Sequence, residues 1–399
     1  MMPDAAELEL LILTTDAGRA LLAEVAGIAR PIPADLTRWR KLAPADWVAA
    51  ALRVVEGRRK GASKFVRADR MWFDLVGVEQ ATAEAVARHK ARRFAAVPEG
   101  VVDLCSGIGG DTLALAESNR VIAVDLDPGM GRRTLWNASV YDVAEKVTTV
   151  PSRAEDYEIP PGASIHVDPD RRPGGRARSK DLTGYSPGPE FLRQLASSKR
   201  GGAFKLGPAS DFETHFDGPD FEVEVVSLGG ECKEATAWFG DLASPGIRRR
   251  ATCLPSGATF ADNDGPPGIG PPRAPGTLGA WVFDPDPSLS RSGLLDRFAA
   301  VQGLRRIVAG VDFLTGPGLV ESPFLASFEV VEALPLDLKV LRREVAMRGL
   351  GPLEIKTRGL KTTPEAYRAQ LRPEGPNPAT LLLIAGHDAP SRAILARRV

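Results

Sequence analysis

The sequence has few of the residues that form metal clusters or disulfide frameworks. Its 399 residues include three cysteines, Cys105, Cys232 and Cys253, and only four scattered histidines. No two cysteines have the Cys-x-x-Cys spacing of a zinc site, and three are too few for a disulfide framework. We therefore expect no metal site, and this use of cysteine indicates a reducing compartment, the cytoplasm.

Long apolar runs and an excess of charge are also missing. No stretch approaches the ~20 apolar residues of a membrane-spanning helix, and the acidic N-terminus is unlike a signal peptide. The 51 Lys and Arg equal the 51 Asp and Glu, so any nucleic-acid binding must come from a local patch. The composition that remains, 43% hydrophobic and 26% charged, is typical of a folded soluble protein of two or three domains.

The first 97 residues have the apolar spacing of helices. Hydrophobic side chains recur at steps of three and four residues, as in Leu21, Leu22, Val25 and Ile28 and again in Val48, Leu52 and Val55. A further helix is predicted from Thr82, which can cap it, to Phe94, with Val86, Lys90 and Phe94 on one face. We predict an N-terminal helical region over residues 1–97.

From Pro98 the pattern changes to short apolar runs separated by helix-length segments. The predicted strands are Val101–Leu104, Val121–Val124, Val147–Val150, Ile165–Val167 and Ala203–Leu206. This alternation predicts βαβ units and a parallel sheet. Two further runs, Phe221–Leu228 and Ala235–Phe239, flank Gly229-Gly230 and predict an antiparallel hairpin. The predicted α/β domain covers residues 98–260.

The last third divides into a linker and an α+β region. Pro and Gly are frequent around Gly265-Pro266-Pro267-Gly268, so we predict a linker or insert over residues 261–325. Over residues 326–399 the predicted elements are strands at Phe328–Val331, Leu353–Thr357, Thr380–Ala385 and Ala393–Ala396, and helices at Asp337–Met347 and after Thr363. From Ala326 onward twelve Lys and Arg face eight Asp and Glu, so we expect the local basic excess here.

The strongest motif, between a predicted strand and a predicted helix, is Asp103-Leu104-Cys105-Ser106-Gly107-Ile108-Gly109-Gly110-Asp111. Gly107 and Gly109 let the backbone approach a ligand closely, and Asp125, at the end of the next strand, can accept both ribose hydroxyls of an adenosine ligand. A dinucleotide site needs a third glycine where Thr112 stands, and Asp103 suits a cationic amino group better than a pyrophosphate. The motif therefore favours S-adenosylmethionine over NAD.

A second motif closes the fourth predicted strand, where Asp168-Pro169 precedes Asp170, Arg171 and Arg172. Methyl transfer is an in-line displacement that depends on alignment more than on acid–base catalysis. Asp168 and a neighbouring carbonyl can accept the hydrogens of an exocyclic amine and hold its lone pair toward the methyl group. The basic loop that begins with Arg171 and Arg172 suggests a phosphate-bearing substrate, with solvated charge as the alternative.

At these residues the chain resembles, over nearly its whole length, the bacterial class I S-adenosylmethionine methyltransferases that carry a C-terminal THUMP-like domain. Besides the Asp103–Asp111 motif, which we call the donor loop, the resemblance is carried by Lys64–Trp72, Glu79–Thr82, Asp168–Gly175, Arg249–Thr259 and Lys339–Gly359. The donor loop, Val124–Pro128 and Asn137–Tyr141 are also similar to trimethylguanosine synthase, an RNA-cap guanine-N2 methyltransferase.

The resemblance implies a Rossmann-like class I methyltransferase domain between an N-terminal helical region and a C-terminal α+β THUMP-like domain. It implies that Asp125 holds the ribose of the donor and that Glu155 or Asp156 faces the adenine amine. Cys105 stands where the donor loop commonly has glycine, and we interpret it as a packed side chain and not a nucleophile. The implied donor-binding positions are Asp103, Cys105, Gly107, Gly109, Asp125, Leu126, Glu155 and Asp156.

The leading hypothesis is an S-adenosylmethionine-dependent RNA methyltransferase that modifies a base amine or a ring nitrogen. Asp170 and Arg171 depart from the pattern of amine methyltransferases, which have proline and an aromatic residue there, although an arginine plane also stacks on a base. The alternatives are a methyltransferase acting on DNA, protein or a small molecule, and a donor-binding, RNA-binding module without transfer activity.

Basic residues in the THUMP-like part are the second candidate contact with RNA. Lys356 and Arg358 are two apart on a predicted strand, so they project from one face, with Lys361 just beyond. They are predicted to contact RNA phosphates, and a solvated sheet face is the alternative. The sequence leaves the oligomeric state open, and it leaves the N-terminal helices open between a lid and an RNA-binding surface.

Overall fold

The computed structural model describes residues 4–95, 97–171, 181–198, 201–266, 276–386 and 390–399. The chain forms two compact units, the first made of Met1–Glu222 and Ala235–Ser244 and the second of Val223–Glu234 and Pro245–Val399. Within the described ranges, no helix has the length and hydropathy needed to cross a membrane.

The first unit begins with six helices, and side chains cap the start of the first, second and fifth. Asp4 accepts the Glu7 N–H while Glu7 accepts the Asp4 N–H, the Thr15 hydroxyl accepts the Gly18 N–H, and Asp74 caps the fifth helix. The apolar faces of the first four helices enclose a buried cluster that includes Val25, Trp39 and Val54. The helices are α1 (Ala5–Thr14), α2 (Asp16–Ala26), α3 (Pro33–Trp39), α4 (Ala45–Gly61), α5 (Leu75–Gln80) and α6 (Glu84–Phe94).

The prediction that Thr82 caps α6 is wrong. Ala83 occupies the N-cap position and makes no side-chain capping bond. The Thr82 hydroxyl instead donates to Oδ2 of Asp111 at 2.6 Å. A buried carboxylate needs hydrogen-bond donors more than a solvent-accessible helix end does, because water can replace a cap but cannot reach Asp111.

The α/β part of the first unit follows the predicted alternation. Its elements are β1 (Val101–Leu104), α7 (Gly110–Ala116), β2 (Val121–Asp125), α8 (Pro128–Val140), β3 (Val147–Pro151), β4 (Ser164–Val167), α9 (Pro189–Ser198), β5 (Gly201–Leu206), α10 (Phe212–Phe216) and, from Ala235 onward, β7 (Glu231–Gly240), with short 3-10 turns at Ala144–Lys146 and Leu182–Gly184. Strand β6 (Phe221–Leu228), which precedes β7, belongs mainly to the second unit. Strands β1, β4 and β5 are buried along their whole length, which explains why they appear in the sequence as short apolar runs.

The strand order in this unit is β3-β2-β1-β4-β5-β7. The first five strands are parallel, and β7 runs antiparallel beside β5. The chain reaches β7 after a turn at Gly229-Gly230, where both glycines have positive φ. This confirms the predicted Rossmann-like sheet with its reversed closing strand. Since the five parallel strands share one direction, the loops that follow them meet at one edge.

The second unit continues, after β6, with the elements β8 (Arg249–Leu254), β9 (Ala258–Ala261), β10 (Trp281–Pro285), α11 (Pro287–Arg291), α12 (Leu295–Val301), β11 (Arg305–Arg306), β12 (Leu314–Gly316), β13 (Leu325–Pro335), α13 (Leu338–Met347), β14 (Leu350–Arg358), α14 (Pro364–Leu371), β15 (Asn377–Ile384) and β16 (Arg392–Arg398). Strand β8 lies between β6 and β9, and the other seven strands form a sheet in the order β11-β12-β10-β13-β16-β15-β14. Asp337 caps α13, and Thr363 caps α14 with Pro364 at its first position, which confirms the predicted start of α14.

Sequence reasoning assigned no regular element between residues 278 and 325, and here the structure differs. Three strands of the seven-stranded sheet, β10 to β12, come from this segment, and β10 pairs with both β12 and β13. The side chains of Val282 and Phe283 on β10 are fully buried. The three strands are short, β10 ends in an Asp-Pro pair and β11 consists of two arginines, which is why the hydrophobic pattern did not reveal them. The domain boundaries stay a prediction.

Candidate functional site

A cavity of about 800 Å³ lies in the first unit at the carboxyl ends of β1, β2, β3 and β4. Its volume is within the range of small-molecule sites. One wall comes from the helical region, between Asp74 and Thr82, and another from Ser186 and Pro187. The residues singled out from the sequence that line it are Asp103, Cys105, Gly107, Asp125, Leu126, Glu155, Asp168, Pro169, Asp170 and Arg171.

Five other predicted site residues are not among those that line the cavity. Gly109 has a φ of 88° and occupies the N-cap position of α7. Asp156 is 70% exposed beside Arg153, so of the alternatives Glu155 and Asp156 only Glu155 faces the cavity. Arg172 lies outside the described residues. Lys356 and Arg358 belong to the second unit.

The loop after β1 needs left-handed backbone at several positions. Cys105 has a φ of 62° and Gly107 a φ of 54°, a region that disfavours residues with a Cβ and explains why related loops place glycine at the cysteine position. Burial raises the pKa of the Cys105 thiol well above its usual range, and the carboxylates of Asp125 and Asp168 raise it further. The thiol therefore stays protonated, consistent with its interpretation as a packed side chain.

Asp125, at the end of β2, accepts hydrogen bonds from the loops that follow β1 and β2. Its Oδ2 accepts the Gly107 N–H at 2.8 Å, and its Oδ1 accepts the Asp127 N–H at 3.0 Å. Burial raises the pKa of this carboxyl above its usual value, the two N–H groups oppose the shift, and the charges of Asp127 and Asp103 add to it. Each oxygen keeps a lone pair, so the carboxylate can accept two further hydrogen bonds from neighbouring hydroxyls of a ligand.

Two buried side chains, His166 and Thr112, fix the position of the Asp103 carboxylate. Its Oδ1 lies 2.7 Å from Nδ1 of His166, and its Oδ2 accepts a hydrogen bond from the Thr112 hydroxyl. Thr112 stands where a dinucleotide fingerprint has its third glycine, and this contact gives the substitution a structural reason. The orientation of Asp103 is therefore fixed by its neighbours on β4 and α7.

Asp168 is paired with a lysine that sequence reasoning missed. Nζ of Lys205, near the end of β5, lies 2.6 Å from Oδ2 of Asp168 and 3.3 Å from the Gln80 carbonyl oxygen. Lys205 is buried, and the Asp168 side chain is 26% exposed to the cavity. The signal was present in the sequence, because Lys205 is the one charged residue in the apolar run Ala203–Leu206.

A second buried ion pair lies beside the first. Nζ of Lys90 is 3.0 Å from Oδ1 of Asp111, and Lys205 is 4.0 Å from Oδ2 of the same carboxylate. Burial on its own raises the pKa of Asp111, but the charges of Lys90 and Lys205 and the Thr82 hydrogen bond outweigh it and hold that pKa well below the usual range. The two lysines and two aspartates form a charge-balanced network in the wall of the cavity.

Other groups that line the cavity have no hydrogen-bond partner among the described residues or expose apolar surface. The Ser106 hydroxyl oxygen is buried and has no hydrogen-bond partner among the described residues. Leu126 is 69% exposed and Val76 58% exposed, and both line the cavity. A hydroxyl group that is available for a hydrogen bond, together with exposed apolar side chains, suits a ligand that has one polar end and one flat apolar ring.

The basic pair of the second unit is neutralised within the protein. Lys356 Nζ lies 2.7 Å from Oδ2 of Asp284, and Arg358 lies 2.8 Å from Oδ1 of the same buried carboxylate. This confirms that the two side chains project from one face. They line a separate cavity of about 1090 Å³ that also contains Asp286 and Glu321, so the charges around them largely cancel.

One group of described residues has metal-ligand chemistry. The ligand atoms of Asp181, Asp211 and His215 all lie within 4.8 Å of one another. None of the three lines the cavity at the ends of the parallel strands. The expectation that no metal takes part stays a prediction.

Three family models match parts of the chain. Residues 325–398 match a THUMP domain-like family, residues 99–167 match the RNA cap guanine-N2 methyltransferase family, and residues 8–61 match a domain of unknown function. The second match covers the strands and loops that carry Asp103, Gly107, Asp125 and Glu155.

Relatives match over most of the chain. Proteins of Mycobacterium tuberculosis strains CDC 1551 and H37Rv, each named an uncharacterized S-adenosylmethionine-dependent methyltransferase, are 34% identical over 340 residues, 82% of this chain and 89% of the relative. A crystal structure from Porphyromonas gingivalis W83, provisionally described as a methyltransferase, has the same fold, with a TM-score of 0.74 and 20% identity over 100% of both chains. With this likeness over most of its length, the chain belongs to the S-adenosylmethionine-dependent methyltransferases and uses S-adenosylmethionine as its methyl donor.

Proposed function

We propose that S-adenosylmethionine binds in the cavity of the first unit with its ribose at Asp125. The observation that carries this proposal is the Asp125 carboxylate, held by the Gly107 and Asp127 N–H groups with lone pairs left for two hydroxyls. A backbone N–H on each oxygen fixes the carboxylate plane before the ligand arrives. Such preorganisation lowers the entropic cost of binding.

The two ends of the donor are assigned by the chemistry of the walls. Leu126 offers exposed apolar surface for the adenine ring, and Glu155 supplies an acceptor for its exocyclic amine. The Ser106 hydroxyl, which has no partner among the described residues, and the fixed Asp103 carboxylate suit the amino-acid end. In this placement Gly107 lies against the donor where a side chain would intrude.

The proposed reaction is methyl transfer to a nitrogen of the acceptor. The donor supplies a sulfonium methyl group, which an incoming lone pair takes as the carbon–sulfur bond breaks and its electrons pass to sulfur. Asp168 accepts a hydrogen bond from the acceptor amine, because Lys205 engages Oδ2 and the described residues make no other hydrogen bond to this carboxylate. Alignment of the amine is the contribution of Asp168 and Pro169 to the rate.

RNA is the proposed acceptor, and a base amine or ring nitrogen is the proposed target atom. The support is the match of residues 325–398 to a THUMP domain-like family and of residues 99–167 to the RNA cap guanine-N2 methyltransferase family. Arg171 lines the cavity next to Asp168, where its planar guanidinium can stack on a base. Lys356 and Arg358 are proposed to meet RNA phosphates with the donor atoms that Asp284 does not use. The three free cysteines fit activity in the cytoplasm.

Two measurements test the proposal in sequence. Calorimetry with S-adenosylmethionine tests donor binding, and transfer of tritiated methyl groups to total RNA, DNA or protein tests the acceptor. We expect Asp168→Asn to bind the donor like the parent and to transfer the methyl group much more slowly. Label in DNA or protein and none in RNA would refute the RNA assignment, and an Asp168→Asn variant with full transfer would refute the role of Asp168.

A further inference from the structure

The N-terminal helices carry a local charge excess that the balanced composition conceals. Residues 27–70 contain eleven Lys and Arg and only four Asp and Glu, a net charge of +7 in a chain whose total is zero. This exceeds the excess of +4 expected for residues 326–399. The strongest basic segment therefore lies in the first unit, which also contains the cavity.

Six of these cations gather around the C-terminal end of α4. Arg59 donates to the carbonyl oxygens of Ala26, Ile28 and Ala29, which brings the chain of Arg30 next to it. Arg58 donates to the Arg70 and Met71 carbonyl oxygens, which places Arg70 on its other side. We call this region the α4-end surface, defined by Arg30, Arg58, Arg59, Lys60, Lys64 and Arg70.

The α4-end surface keeps much of its positive charge. Arg58 and Arg59 bind neutral carbonyl groups, which hold their guanidinium groups in place without cancelling the charge. Glu56 and Glu79 pair with Lys60, and Asp69 attracts Arg58. Among the described residues, no ion pair with a carboxylate involves Arg30, Arg59 or Arg70, so these three positive charges are not cancelled. Arg30, Arg59, Lys60 and Arg70 are exposed.

The same surface is joined to the wall of the cavity. Nζ of Lys64 donates to the carbonyl oxygens of Glu79 and Ala81, both at 2.8 Å, and Lys60 lies 3.1 Å from the Glu79 carboxylate. Gln80, Ala81 and Thr82 then line the cavity. A polyanion that lies on the α4-end surface is therefore one short segment of chain from the cavity.

We propose that the α4-end surface binds the phosphate backbone of the RNA whose base enters the cavity. The inference rests on the proposed function, since it takes RNA as the acceptor. Backbone contacts of Lys and Arg supply affinity and orient a strand without reading its sequence. Arginine suits this role because its planar guanidinium can bind a phosphate through two hydrogen bonds. This assigns the N-terminal helices to substrate binding.

The test removes exposed charge that has no structural partner. Among the described residues, no hydrogen bond or ion pair involves the side chains of Arg30 and Arg70, so R30E/R70E perturbs the charge and not the packing. The matched control is R92E/R120E, because Arg92, in the last turn of α6, and Arg120, immediately before β2 at the edge of the sheet opposite the cavity, are exposed and likewise make no side-chain hydrogen bond or ion pair among the described residues. Thermal unfolding verifies that both proteins fold, and the milder R30Q/R70Q replaces R30E/R70E if the latter does not.

Binding of a labelled RNA of about 20 nucleotides is measured as a function of salt. We expect R30E/R70E to bind more weakly than the parent, with the slope of log affinity against log salt reduced by about 1.4, from ~0.7 for each phosphate contact to a single strand. The control keeps the parental slope. In the transfer assay R30E/R70E should raise KM for RNA and leave kcat at saturating RNA and the donor Kd unchanged.

Other outcomes overturn the proposal in distinguishable ways. If R30E/R70E and the parent have equal RNA affinity and equal salt slopes, the α4-end surface does not bind RNA. That result would not contradict donor binding or methyl transfer. Loss of binding to vesicles of phosphatidylserine and phosphatidylcholine, with unchanged RNA binding, would assign the surface to a membrane instead. A parent protein that transfers no methyl group to RNA would instead refute the proposed function on which the inference rests.

Discussion

Replacing Asp125 by Asn tests the donor site at its central contact. The change keeps the size of the side chain but removes the charge and one of the two acceptor oxygens. In the parent both oxygens already accept a backbone N–H, from Gly107 and Asp127. The amide nitrogen of the variant must face one of these N–H groups, so either the loop after β1 or the loop after β2 loses an anchor, and the two ribose hydroxyls keep only a neutral partner.

The size of the effect follows from the number of bonds. Each charge-assisted hydrogen bond contributes about 1.5–3 kcal/mol, so two ribose hydroxyls on one carboxylate give about 3–6 kcal/mol. Neutral hydrogen bonds are roughly half as strong. D125N should therefore weaken the free energy of donor binding by about 1.5–3 kcal/mol, which is a rise of roughly 10- to 150-fold in the donor Kd.

Calorimetry at several pH values provides the assay, and the pH dependence is a second test. Burial raises the pKa of Asp125, and the charged carboxylate is the better acceptor for hydroxyl groups. The parental affinity should be fully present above that raised pKa and fall as the pH is lowered through it. D125N should lack this acidic fall. An affinity and a pH profile equal to those of the parent would refute the assignment of Asp125.

Three further predictions concern the remaining contacts of the site. In a double-mutant cycle of K205M and D168N, K205M should lower kcat without changing the donor Kd, and it should not lower kcat further in the D168N background. K205R should restore part of kcat. Additive losses of kcat in the double mutant would contradict a role of Lys205 through Asp168. E155Q should weaken donor binding and D156N should not, because only Glu155 lines the cavity; equal effects in calorimetry would contradict the adenine assignment. K90M should lower the free energy of unfolding in urea by about 3–5 kcal/mol by leaving Asp111 buried beside one cation fewer, and K90M/D111N should recover most of it; no recovery would contradict the pairing.

The fold of the first unit was predictable because its elements have strong local signals. Val101–Leu104 was predicted with its exact bounds, since a fully buried strand is a continuous apolar run and glycine marks its end. The pairing of Asp168 with Lys205 was not predictable, because it joins residues 37 positions apart on two strands. The apolar run around Lys205 indicates that this lysine is buried and needs a partner, but the local pattern does not identify which carboxylate that partner is.

In the second unit, the partner of two predicted basic residues lies on a strand that the sequence pattern did not reveal. The period of two correctly placed Lys356 and Arg358 on one face of β14. Their partner Asp284 lies on β10, in the segment predicted as linker or insert. Because that strand was not recognised, the two cations were expected to face solvent or RNA. The sequence can thus predict on which side of a strand a residue lies. The net charge of the surface can be predicted only when the neighbours in the tertiary structure are known.

The position of Asp168 relative to the reacting atoms decides what its charge does. In a transfer from sulfonium to a neutral amine, positive charge moves from sulfur to nitrogen. A carboxylate near the sulfur stabilises the reactants, and one near the nitrogen stabilises the transition state. A mobile aspartate would sample both positions. Because the buried Lys205 holds Oδ2 and is itself fixed by the Gln80 carbonyl, Asp168 can act as an acceptor in one direction only. Its contribution is then the orientation of one hydrogen bond more than the strength of its charge.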